Sequence, residues 1–365
     1  MITTVIDTGH ASLASALATR QQKNIAVAIG IVALAAFLLI VPFVRVHLVE
    51  MPAFIPSYEA ALFFIDLITA VLLFDQARRL KSLSLVVLAA GYLFDAFIII
   101  PHALSFPGAF AATGLLGAGP QTTAWLYVFW HGGFPLFVIG YALLRRREAH
   151  GDMSPASGTT IGIAVAAAAA LAILCAILTT WQHDRLPVVM QGRDYSLLVS
   201  KGISPAVWGV TLIAMLMLWQ REQRVVDLWL MLVMWIWLFD IALAAVIGSQ
   251  RFDLGFYAGR IFGLIASSFL LATLIVEMAK IYASALGAAA RAEHKLVVLG
   301  RLRERRMMDR RRGEGATTNT YIQRENIARY QSLLEQADLD EAQRRAIEKL
   351  LSEEEAKLRA GGSLH

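Results

Sequence analysis

Three ionisable residues stand where an apolar chain carries few. In GYLFDAFIIIPHALSFPGAFAATGLLGAGPQTTAWLYVFWHGGFP (91–135), Asp95 lies inside one apolar run, His102 closes it, and His131 lies inside the next. A carboxylate and two imidazoles in such surroundings fit three chemistries: proton transfer, since imidazole titrates near neutrality; metal or haem ligation by histidines on neighbouring helices; and recognition of a polar ligand. Ligation is the weakest of the three, because no third ligand stands at a fixed spacing and Cys175 is the single cysteine. Glu59 and Asp66 fall two turns apart on one helical face, a spacing that permits a proton relay. Asp240 and Arg260 lie in later apolar runs. No Walker loop, GxSxG or HExxH motif occurs, so an enzyme has no motif behind it and no cofactor or metal is expected.

The elements that must hold these residues are membrane helices. The 365 residues are 57% hydrophobic and 17% charged, against about 45–50% and about 25% in soluble domains, which predicts an all-α polytopic membrane protein. Eight runs approach the ~20 residues a span requires: 25–44, 57–77, 82–100, 124–144, 159–181, 203–219, 225–247 and 256–279. An even count puts both termini on one side. Arg20, Lys23, Arg78, Arg79, Lys81, Arg145, Arg146, Arg147, Arg221 and Arg224 lie on that side, against Arg45, Arg185, Arg193, Lys201 and Arg251 on the other. By the positive-inside rule the termini are cytoplasmic, with a bacterial inner membrane as the natural home. The net charge of +5 encodes orientation, and no nucleic-acid partner is expected.

The span region reads as a tandem repeat of four plus four. A shift of 145 residues puts Leu73 on Leu218, Arg79 on Arg224, Leu85 on Leu230, and Leu93-Phe94-Asp95 on Leu238-Phe239-Asp240. Units of four spans are parallel copies, and sites in such folds lie between the halves. Asp95, Asp240, His131, Arg260, Asp66 and Glu59 all fall in the outer half of their spans, with Trp125, Tyr127, Trp130 and Trp208 near the same level. Such a layer fits an outward pocket. It equally fits a plain arrangement in which Arg260 pairs with an aspartate and His131 bonds a backbone carbonyl.

IPHALSFPGAF (100–110), GLLGAGPQTTAWLYVFWHGGFPL (114–136), RDYSLL (193–198) and RIFGLIASSFLLATLIVE (260–277) resemble the membrane-associated sensor domain of type four, an integral membrane input module of bacterial signalling proteins. The resemblance covers about residues 25–285. It implies a sensory role, usually upstream of a histidine kinase or diguanylate cyclase, and makes His102, Pro107, Gly108, Gln121, Trp125, His131, Arg193 and Arg260 family-like positions. Joined to the intramembrane acids, these give a hypothetical ligand-binding set of Asp95, His102, Gln121, Trp125, His131, Arg193, Asp240 and Arg260.

The C-terminal region departs from that pattern. There is no GGDEF sequence and no ATP-binding glycine box, and His294 in AEHKL lacks the flanks of a phosphoacceptor. The expected organisation is a cytoplasmic segment (1–24), an eight-span domain (25–285), a basic helical extension (286–312), a GEGATTNT linker (313–320) and a helical hairpin (321–365). Nine Lys/Arg against three acids between Arg291 and Arg312 suit the anionic inner leaflet. Two apolar stripes, Ile327, Tyr330, Leu333, Leu334 and Ile347, Leu350, Leu351, Leu358, suit a signalling partner or self-association through 321–358, with Asp340 and Gln343 capping the second helix. The expected function is a membrane sensor without its own catalytic output. A transporter coupled through intramembrane carboxylates and a membrane scaffold subunit are the alternatives.

Overall fold

The structure, a computed structural model, describes residues 17–151, 155–219, 224–335 and 340–362. The segment before residue 17, Arg221, and residues 336–339 lie outside the described residues. The described helices are, in order, α1 (Arg20–Ile40), α2 (Phe54–Leu80), α3 (Leu83–Ser105), α4 (Thr122–Ala149), α5 (Gly158–Trp181), α6 (Leu197–Ser200), α7 (Ile203–Trp219), α8 (Val225–Ile241), α9 (Leu254–Leu334) and α10 (Glu341–Gly362). Among the described residues there is no strand. Among the described residues seven helices are long and apolar enough to cross a membrane, and α7 is a shorter apolar helix of 17 residues. The chain is an all-α polytopic membrane protein.

Local chemistry sets the helix ends. Thr19 and Gln22 form a capping box at the start of α1, satisfying two of its orphan amides. Pro42, which has no N–H to donate, sits in the 3-10 turn that follows. α2 stops where Lys81 turns left-handed at φ 52°, with Arg78 and Arg79 in the last turn, where cations meet the negative helix end. The start of α3 is capped twice, by Ser82 and by Glu148 of α4, whose carboxylate accepts from the Ser84 amide at 2.9 Å and the Ser84 hydroxyl at 2.7 Å.

The packing follows the repeat. α1 and α5 lie at the periphery, mostly exposed, and α3 and α8 are the buried centres. These are the helices that the 145-residue shift superposes. α2, α4 and α5 pack on α3, while α7 and α1 pack on α8, which also meets α9 through Phe239 and Phe262. The first helix of each half thus lies against the centre of the other. α4 likewise packs on α7, as α2 meets α9 through Phe54 and Tyr257.

The chain divides into two compact units, 1–281 and 282–365. In the second, the backbone of 313–320 is helical and belongs to α9, where composition predicts a linker. Two interior glycines cost about 1 kcal/mol each relative to alanine, a penalty that flanking Arg, Glu and Ala can absorb. Asp340 caps α10, its Oδ1 accepting from the Gln343 amide at 2.7 Å while Gln343 Oε1 accepts from the Asp340 amide at 3.2 Å.

Candidate functional site

At the bundle end that carries the loops 44–53, 106–121, 182–202 and 248–253, two carboxylate–imidazole pairs lie buried. Glu59 of α2 meets His102 of α3, Oε1 to Nδ1, at 2.7 Å. His131 of α4 meets Asp240 of α8, Nε2 to Oδ2, at 3.2 Å, and its Nδ1 lies 3.1 Å from the Tyr127 carbonyl. Both ring nitrogens of His131 face acceptors. Because α4 belongs to the first half and α8 to the second, this pair sits on the seam between them. Gly259 and Gly263 of α9 make room for the Asp240 carboxylate: a methyl group on them would approach Oδ1 to 2.8 Å and Oδ2 to 2.9 Å respectively.

Beside these pairs lies a small pocket of about 40 Å³, lined by His102, Tyr127, Tyr195, Phe106, Phe256, Arg251 and Arg260 among others. Its two arginines are 9% and 8% exposed. The Arg251 guanidinium lies 4.7 Å above the Phe106 ring and that of Arg260 3.5 Å above Phe256, with the two rings 6.3 Å apart. Arg260 Nη1 donates to the Phe256 carbonyl at 2.8 Å, whereas its Nε has no partner. Among the described residues neither arginine forms an ion pair. Burial, with repulsion from Arg260 behind it, pushes Arg251 down to about 10. Burial also raises the Tyr195 phenol, whose hydroxyl donates to the Gln250 carbonyl at 3.0 Å. Ring stacking contributes about 0.5–2 kcal/mol per cation, less than the several kcal/mol of burying each charge.

The opposite end holds its charges differently. Asp227 of α8 is fully buried; Arg145 of α4 pairs with one oxygen, the Tyr141 hydroxyl donates at 2.7 Å, and the Arg224 amide donates at 2.9 Å. Toward the middle of the bundle, Asp66 and Asp95 lie within Coulombic reach of each other, with Tyr92 near both. One oxygen of each aspartate has no hydrogen-bond partner. Glu59 and Asp66 point to different partners and form no relay with each other.

Of the eight positions singled out in the sequence, His102 and Arg260 line the pocket, and His131 with Asp240 forms the seam pair. Asp95 belongs to the central aspartate pair. Gln121 is a clamp: its Oε1 accepts from the Val189 and Met190 amides at 2.8 and 2.9 Å, and its Nε2 donates to the Met190 carbonyl at 2.8 Å. Trp125 Nε1 holds the Pro187 carbonyl at 3.0 Å, and Arg193 pairs with Glu50. These three fix the loops that roof the pocket. The plain arrangement holds for the His131 carbonyl bond and fails for Arg260, which has no aspartate. Arg251, Tyr195 and the Asp227–Arg145 pair were not singled out. Arg251 stands nine residues before Arg260 in RFDLGFYAGR, and two arginines flanking a span's first turn would have been the signal.

Sequence comparison places residues 49–282 in a match to a family model described as a membrane-associated sensor, integral membrane domain, MASE4. No curated protein and no solved structure matches the chain.

Proposed function

Because the chain belongs to the MASE4 family of membrane-associated sensors, we propose that it is the input half of a signalling pathway, reading a stimulus at the loop-end pocket and delivering it through α9. The observation that carries this reading is the composition of α9. Phe256 and Arg260 line the pocket, Gly259 and Gly263 cradle Asp240, and the same helix continues to Leu334. Two arrangements of the halves differ in how α4 and α8 meet at the His131–Asp240 seam. A ligand or proton with different affinity for the two arrangements shifts their populations, and α9 moves with the seam. Counting α7 as the eighth span puts both termini in the cytoplasm of a bacterial inner membrane and opens the pocket outward. Output then comes from a partner docked on 321–358, with Arg291–Arg312 on the anionic leaflet.

Photoreactive groups at Tyr330 and Leu350 in intact membranes test the reading. Capture of a kinase, cyclase or regulator subunit that changes with Asp240→Asn is the expected result. Identical capture in wild type and variant, or none, overturns it. The unpartnered oxygens of Asp66 and Asp95 favour a second reading, proton-coupled transport. Proton flux in proteoliposomes that disappears with Asp95→Asn would select it.

A further inference from the structure

The geometry points to a site for one anionic phospholipid at the end of the spans that holds Asp227. An acyl chain lies in the groove between α1 and α7, over α8, and the headgroup phosphate meets Arg20 and Lys23 at the groove's mouth. The site does not depend on the sensory reading of the loop-end pocket.

α1 and α7 both pack on α8 and leave between them an apolar groove of about 340 Å³, with Val27 and Ile31 on one wall, Met215 and Trp219 on the other, and Met231 and Trp235 as its floor. Trp235 Nε1 donates to the Gly30 carbonyl at 3.2 Å, and Phe37 stacks on Phe239 at 4.7 Å. These contacts hold α1 on α8 while Val27 and Ile31 stay 59% and 61% exposed. The α1 wall runs from Ala26 to Leu34, about 12 Å of helix at 1.5 Å per residue. That length approaches one leaflet of a hydrocarbon core about 30 Å thick. Trp219, exposed at the end of α7, marks the mouth, because exposed tryptophans favour the headgroup level. Charge completes the site. The groove takes positions 26, 27, 30, 31 and 34 of α1, and the helical period puts Arg20 and Lys23 on that same face, within two turns of Val27. Both are exposed, and among the described residues neither forms an ion pair. The described acids at this end of the spans are held elsewhere: Asp227 by Arg145, Asp75 by Arg78 and Arg79, and Glu148 by Ser82 and Ser84. Any lipid-facing groove would accept an acyl chain, whereas two cations at its mouth select an anionic headgroup. The family match begins at residue 49, so α1 lies outside it and the groove forms where this helix joins the matched region.

The test uses the full chain in a non-ionic detergent, titrated with dioleoyl phosphatidylglycerol or dioleoyl phosphatidylcholine and read by native mass spectrometry and thermal unfolding. Phosphatidylglycerol should be retained at least fivefold more tightly than phosphatidylcholine and should raise Tm saturably. Arg20→Gln combined with Lys23→Gln, which spares the Thr19–Gln22 capping box, should bring its retention down to the phosphatidylcholine level. Val27→Trp fills the groove, leaves both charges in place and should weaken phosphatidylglycerol at least fivefold. If Val27→Trp does not fold, Ile31→Phe fills the same wall and should act in the same direction. Arg303→Gln with Arg305→Gln and Arg306→Gln, in the basic extension of α9, should leave retention within twofold. Equal retention of the two lipids by the wild type overturns the site. So does a phosphatidylglycerol response that survives the α1 charge variant and disappears with the α9 variant. A response that falls with the α1 charges yet is unchanged by either groove-filling substitution is surface attraction alone, and it overturns the groove as the acyl site.

Discussion

At one end of the bundle Asp227 is buried with Arg145, the Tyr141 hydroxyl and the Arg224 amide all directed at its carboxylate. At the other, Arg251 and Arg260 are buried to a similar depth with aromatic rings where carboxylates would be expected. Asp240, the acid that α8 brings to the loop end, instead goes to His131. The closed end meets its cation with a carboxylate, whereas the loop end rests its cations on aromatic rings.

That contrast is broken most directly at the closed end. Asp227→Ala leaves Arg145 buried without its carboxylate, and breaking such a pair costs about 3–5 kcal/mol. Unfolding of the purified protein in mixed micelles should show the loss. A destabilisation under ~1 kcal/mol would mean that the two ends do not differ.

A smaller effect is expected where α9 meets the seam. Gly263→Ala puts a methyl group 2.9 Å from Asp240 Oδ2, and overpacking of this kind costs about 1–3 kcal/mol. The double variant with Asp240→Ala should lose no more than Asp240→Ala alone, because the clash goes with the carboxylate. Additive losses would show that Gly263 packs against something else.

Helix positions were readable from the chain because hydropathy is a property of single segments. The Asp340–Gln343 cap was readable for the same reason, being local. What a segment cannot report is which helix it faces. Arg145 reads as one of three loop arginines until α4 is seen extending to Ala149 and presenting it to Asp227. Gln121 and Arg193 stand out only through family resemblance, and their loop-holding roles depend on partners 68 to 143 residues away. The 313–320 stretch misleads in the other direction, since local composition predicts a break that the surrounding helix overrides.

Glu148 offers a milder probe of the closed end. Its carboxylate accepts from the Ser84 amide and from the hydroxyls of Ser82 and Ser84. Glu148→Ala removes those charge-assisted bonds at the start of α3, with an expected loss of about 1–2 kcal/mol. Hydrogen exchange should rise in the first turns of α3 and stay unchanged at the loop end. Spread of the increase to 248–260 would tie the two ends together.

The smallest effect on stability belongs to the residue with the most exceptional surroundings. Arg251 is held charged against burial and against Arg260, which together pull it down to about 10. A base with a lowered value in the folded chain opposes folding while it is charged, and that opposition fades as pH rises from about 10 toward the ordinary arginine value. Removing the charge therefore takes away an unfavourable contribution along with the stacking on Phe106. Arg251→Gln should unfold within about 1 kcal/mol of wild type at pH 7, or above it, since replacing buried charge by neutral groups is often neutral or stabilising. Any advantage of the variant should narrow above pH 10. Burial raises Tyr195, the phenol facing the pair, in the same surroundings. A loss as large as that of Asp227→Ala would mean that Arg251 has a counter-ion in the free protein, and the open end would then be as closed as the other.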